Sequence, residues 1–140
     1  MNLLVETLKN GKHSLVVENS RAFRTYDSRG VADLYGILTR EPELLAGARV
    51  ADKVVGKGAA VLMVLGKVES VYAITISKPA LNMLMNHGVK VTYETLVDNI
   101  INRAGTGICP VESLCADIDS PQQALPLIRD FIENKSQNRF

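Results

Sequence analysis

The stretch from residue 68 to residue 94 sets the strongest constraint on what this chain can fold into. Val68 to Ser77 is rich in β-branched residues, with Gly66 behind it and Pro79 ahead, and Pro79 suits the first turn of a helix running to Asn86. Gly88 ends that helix, and Val89-Lys90-Val91-Thr92-Tyr93-Glu94 then alternates apolar with polar, as a strand does. A helix between two strands makes the crossover that parallel pairing needs, which a tight turn cannot supply. The expectation is an α/β protein with a mixed sheet of about five strands and helices on both faces.

The rest of the chain supports one domain over residues 1–140, with a polar tail from about residue 134. Leu15-Val16-Val17-Glu18 and Ala22-Phe23-Arg24-Thr25-Tyr26 read as a hairpin turning at Asn19 to Arg21. After turn residues Asp27 to Gly30, with Gly30 at a helix cap, Val31, Leu34, Tyr35, Ile37 and Leu38 recur at helical spacing, and that helix ends before Pro42. A short segment covers Glu43 to Ala46. Asp52 then precedes Lys53 to Met63, read as a buried helix whose Gly56, Gly58, Ala59 and Ala60 permit close packing on the sheet. Cys109-Pro110-Val111-Glu112 opens another helix, and Ser120-Pro121-Gln122-Gln123 opens an amphipathic one through about Glu133.

Charge narrows the function. Sixteen Lys and Arg against fifteen Asp and Glu leave a net charge of +1, too little to gather nucleic acid or an anionic membrane. The start, Met1 to Lys9, is amphipathic and carries Glu6, unlike a secretory signal, and the apolar run from Gly58 to Gly66 is about half a membrane span. A cytoplasmic location is expected, with Cys109 and Cys115 as reduced thiols: six residues apart on one helix, they point to different faces and form no disulfide.

The order of elements, together with the text Ala51-Asp52-Lys53-Val54-Val55-Gly56-Lys57-Gly58-Ala59-Ala60, Ile76-Ser77-Lys78-Pro79-Ala80-Leu81 and Ile101-Asn102-Arg103-Ala104-Gly105-Thr106-Gly107-Ile108-Cys109-Pro110-Val111-Glu112, resembles domain-of-unknown-function family 1893. That family is similar to the cytidine deaminase-like superfamily, and the resemblance implies a three-layer α-β-α sandwich with a cleft for a small, nucleotide-like ligand. Zinc deaminases open one helix with His or Cys, any residue, then Glu, and a second with Pro-Cys and a further Cys. Against those positions this chain offers Asp52-Lys53-Val54 and Pro79-Ala80-Leu81-Asn82-Met83, so neither half of a zinc site is present. No metal and no cofactor is expected, and His13 and His87 lack the spacing of a zinc box.

Cys109, between Gly105-Thr106-Gly107 and a helix start, has the setting in which backbone N–H groups and the helix dipole stabilise a thiolate; a small buried hydrophobe at a helix entry reads equally well. Gly105, Thr106 and Gly107 allow backbone donors close to an anion, or make a simple flexible connection, and no Gly-Lys-Ser/Thr follows to make a P-loop. Given the resemblance, Asp52 and Lys53 become candidate catalytic groups at a helix start, with Lys57 one turn on the same face as Lys53; otherwise Asp52 is a cap and the lysines are solvated. Arg103 and Glu112 complete the candidate ligand-binding set.

Three functions compete. One is a cysteine-dependent enzyme or group-transfer protein using Cys109 with Lys53 and Asp52, placed ahead because packing alone does not account for Cys109 beside the Gly-Thr-Gly loop. Another is a non-catalytic small-ligand-binding or sensor module. In the third, a stripe of Leu125, Leu127, Ile128, Phe131 and Ile132 joins copies of the chain into a homo-oligomer, although such a stripe is more often core.

Overall fold

The computed structural model describes residues 2–28, 31–102 and 105–137. Its sheet has five strands: β1 (Leu15–Glu18), β2 (Phe23–Tyr26), β3 (Arg49–Val55), β4 (Ser70–Ser77) and β5 (Lys90–Val97), in the order β2-β1-β3-β4-β5. The sheet is mixed: β1 pairs antiparallel with β2 and β3, and β3, β4 and β5 run parallel. Seven helices surround it among the described residues: α1 (Asn2–Asn10), α2 (Ala32–Arg40), α3 (Pro42–Leu45), α4 (Lys57–Leu65), α5 (Lys78–Asn86), α6 (Pro110–Cys115) and α7 (Pro121–Gln137). None of them is long and apolar enough to cross a membrane.

The hairpin forms where the sequence places it. Asn19 Oδ1 accepts the backbone N–H groups of Arg21 and Ala22, each at 2.8 Å, an Asx-type turn that stands in for backbone pairing. Strand alternation then divides the core in two. Val16 and Ala51 meet Leu4 and Leu8 of α1, while Leu15, Val17 and Val50 belong to the larger cluster with α2, α4, α5 and α7. Both crossover helices, α4 and α5, pack into this larger cluster, as two right-handed connections in one direction along a sheet require. Leu4 and Leu8 are fully buried, each contributing roughly 1.5–3 kcal/mol, so the amphipathic start of the chain is a structural helix.

One expectation is corrected. Asp52 and Lys53 do not open a helix: they lie inside β3, where Asp52 pairs with Leu15 on one side and Ala73 on the other. Pairing on both sides overrides the helical propensity of Ala51 to Lys53, and the strand runs to Val55. Helix α4 begins at Lys57, so Lys53 and Lys57 share no helix face.

The small residues of α4 act at a different contact from the one anticipated. A Cβ on Gly58 would lie 2.2 Å from Val111 Cγ1 and 3.5 Å from Val31 Cγ1, so the close approach is to side chains of α6 and of the α2 cap. Gly58→Ala is expected to lower stability by about 2–3 kcal/mol through overpacking. Val111→Ala should recover part of that loss in the double variant. Urea unfolding of the two single variants and the double variant checks this, and strictly additive losses would rule out the contact as the cause.

Candidate functional site

The parallel strands end side by side, and the segments that leave those ends build the site. β3 leads through Gly56 to Lys57, β4 leads into Lys78 at the start of α5, and β5 leads into Asp98 and Asn99. The chain then returns over the strand ends, so that α6 comes down on α4. In open parallel sheets this carboxyl-end margin is where ligands bind.

Glu112 fastens the return. Its side chain is 2% exposed, and its carboxylate accepts three hydrogen bonds. Oε1 takes the Lys57 backbone N–H at 2.7 Å and the Ser77 hydroxyl at 2.7 Å, and Oε2 takes the Ile100 N–H. Ser77 caps α5, accepting from Ala80 N at 3.2 Å while donating to Glu112. One carboxylate therefore closes the first turns of both crossover helices, favoured there by the positive ends of two helix dipoles. Gly56 leaves room for it: a Cβ at that position would lie 3.3 Å from Glu112 Oε1 and 3.3 Å from Ile100 Cγ1.

Beside this clasp opens a cleft of about 400 Å³ lined by Lys57, Lys78, Pro79, Asn82, Met83, Asn86, His87, Asp98, Asn99, Ala116 and Asp119. Its size is that of a small-molecule site. The wall formed by α5 carries Asn82 and Asn86, one helical turn apart, above Met83. His87 Nδ1 lies 2.9 Å from the Met83 carbonyl, and because a carbonyl only accepts, Nδ1 is the donor of that pair. Lys78 pairs with Asp98 at 2.8 Å; each raises the charge preference of the other, the lysine pKa going up and the aspartate pKa going down. The lining thus offers amide donors and acceptors, both charge signs and a small apolar floor.

Of the described candidate residues read from sequence, Lys57 alone lines this cleft. Asp52 is buried in β3, where desolvation pushes its carboxyl up to about 7; the backbone N–H groups of Val54 and Lys53 oppose that rise and the nearby charge of Asp33 adds to it. Lys53 is exposed. Cys109 is the N-cap of α6, half-buried against the larger core cluster, its N–H donating to Ile100 O at 2.8 Å. Cys115 is buried, with its thiol pushed up by desolvation, an effect that Lys57 opposes and Glu112 reinforces. Both cysteines are free. The Gly105-Thr106-Gly107 segment is a closed loop: Asn102 accepts from Gly105 N at 3.1 Å through its carbonyl and from Thr106 N at 3.1 Å through Oδ1, so these two donors are already used. Gly105 has φ +71°, a conformation glycine adopts freely. Arg103 lies outside the described residues, as does Gly30.

Sequence reading passed over Lys78, Asn82, Asn86, Asp98, Asn99 and Asp119. The signal in the sequence was slight: two asparagines, poor helix formers, stand one turn apart on α5, the second as its last residue. Among the described residues no group of three or more His, Cys, Asp or Glu side chains is placed to hold a metal ion. The first turns of α4 and α5 carry Lys57-Gly58-Ala59 and Lys78-Pro79-Ala80, and none of these is a usual zinc ligand.

Comparison with known proteins bears on the fold and the family. A crystal structure of a DUF1893 family protein from Thermotoga maritima is 26% identical to this chain, covers 92% of this chain and 86% of its own, and superimposes with a TM-score of 0.81. No curated protein matches the chain. Residues 3–132 match the family model described as a domain of unknown function, DUF1893, and with that match running over nearly all of the 140 residues, the chain belongs to the DUF1893 family.

Proposed function

We propose that this protein is a cytoplasmic small-ligand-binding module built on a cytidine deaminase-like fold without the zinc site, and that its ligand, nucleotide-like in size and polarity, binds in the cleft at the carboxyl ends of β4 and β5. The observation that carries this reading is the lining itself. Asn82, Asn86 and Asn99 converge with His87 on a concave space of about 400 Å³, a concentration of donors and acceptors that packing does not call for. Amide side chains read the edge of a heterocycle through paired donors and acceptors, and Met83 with Pro79 supplies a surface for its face. Resemblance to deaminases is supported by the two crossover helices that open at neighbouring strand ends, where those enzymes hold zinc and this chain holds Glu112.

The cysteine-dependent alternative gains less from the geometry. Cys109 packs against the core and is absent from the cleft lining, while Asp52 and Lys53 sit within β3. A thermal-shift and calorimetric panel of free bases, nucleosides, nucleotides and amino acids tests the proposal. At least one member should bind saturably, and Asn82→Leu, which keeps the helix, should weaken that binding about tenfold or more, as the loss of a good hydrogen bond does. Absence of any saturable ligand, or full affinity in Asn82→Leu, would remove the cleft from consideration.

A further inference from the structure

Lys57 sits on the cleft wall and is only 5% exposed, the most buried cation of the described chain. Its ammonium donates to the Ala116 carbonyl at 3.1 Å, and no ion pair among the described residues includes it. An ammonium has three N–H donors and a full charge, and removing it from water is costly unless an anion faces it. The buried carboxylate of Glu112 is engaged by Lys57 N, Ser77 Oγ and Ile100 N, and no ion pair within 4.0 Å joins it to Lys57 Nζ. Other cations near the cleft differ in this respect, since Lys78 is largely exposed and already paired with Asp98.

We infer that Lys57 Nζ is the receptor for an oxyanion, a carboxylate or a phosphoryl group, carried by the small ligand of this cleft. The inference rests on the ligand-binding function proposed for the cleft and deepens it by fixing one end of the ligand. The anion meets Nζ where Ala116 leaves the other ammonium donors free, and the rest of the molecule extends along Asn82 and Asn86 of α5. Asp98 and Asp119 in the same lining disfavour a second negative charge on the part of the ligand that reaches them.

The test uses the full chain at constant ionic strength, with acetate, glycine and inorganic phosphate as probes, followed by thermal shift and calorimetry on the wild type, Lys57→Met, Lys57→Gln and Lys78→Met. Saturable stabilisation by at least one oxyanion is expected; it should persist in Lys78→Met and weaken at least about tenfold in both Lys57 variants. Which probe succeeds distinguishes a carboxylate from a phosphoryl group. Lys57→Met should also raise the Tm of the ligand-free protein, because an isosteric apolar chain replaces a charge with no anionic partner. Equal oxyanion binding in the Lys57 variants overturns the inference, as does an uncharged nucleoside that binds at the cleft while no oxyanion does; in that second case the proposed ligand-binding function survives. No binding by any probe or panel member overturns both.

Discussion

Glu112→Ala is expected to lower the stability of the fold by about 4 kcal/mol, the largest loss from any single side chain outside the apolar core. The magnitude reflects the three donors that the carboxylate holds. Hydrogen bonds to an ionised group contribute roughly 1.5–3 kcal/mol each, and removal leaves the N–H groups of Lys57 and Ile100 facing a void, along with the Ser77 hydroxyl. Glu112→Gln tests the same clasp more gently: its carbonyl can still accept from Lys57 N and Ser77 Oγ, but its amide NH2 opposes the Ile100 N–H, for a loss of about 2 kcal/mol. Urea unfolding gives the magnitudes, and hydrogen exchange should speed up at the amides of Lys57 and Ile100 ahead of the rest of the sheet. A loss below about 1 kcal/mol for the alanine variant would mean that α6 is held by apolar contacts such as Val111 on Gly58, with Glu112 incidental.

The Glu112 clasp also shows where sequence reasoning stops. Glu112 stands at the third position of a helix opening with Cys109 and Pro110, and that spacing suggests local capping or a ligand contact. Its partners are 55, 35 and 12 residues away, and no local pattern announces them. Elements whose signals are local were legible: the hairpin around Asn19, the β4-α5-β5 crossover with Ser77 and Pro79 at the helix start, and the Ser120-Pro121 opening of α7. β3 was not, because a seven-residue run with Ala51, Asp52 and Lys53 at its centre has weak strand propensity and is decided by neighbours on both sides. That one misreading carried Asp52 and Lys53 to the wrong place and drew attention from the cleft, whose residues come from segments far apart in the chain that meet only after the sheet forms.

Asp52 leads to the second large effect, a dependence of stability on pH. Its carboxyl is 8% exposed and accepts a 3.3 Å hydrogen bond from Val54 N, with no cation paired to it among the described residues. Desolvation raises it from 3.8 to about 7, with Asp33 adding to the rise. Because the folded value is the higher one, the folded state holds a proton that the unfolded chain releases, and rising pH then favours unfolding. The stabilising contribution of the neutral acid is complete below pH 3.8, declines as pH climbs, and is gone above about 7, a total of at most about 4 kcal/mol. Asp52→Asn keeps an acceptor for Val54 N and removes the titration. The variant should match the wild type near pH 4 and exceed it by about 3 kcal/mol at pH 8, measured by urea unfolding at both values. Asp33→Asn, which removes the like charge and leaves the burial, should shift the wild-type decline only slightly toward higher stability at pH 8. Equal stabilities of wild type and Asp52→Asn at pH 8 would mean that the ionised carboxylate is well solvated or paired in the folded protein. The predicted gain would place Asp52 among the residues whose burial costs stability at neutral pH, with desolvation inside β3 as the cause.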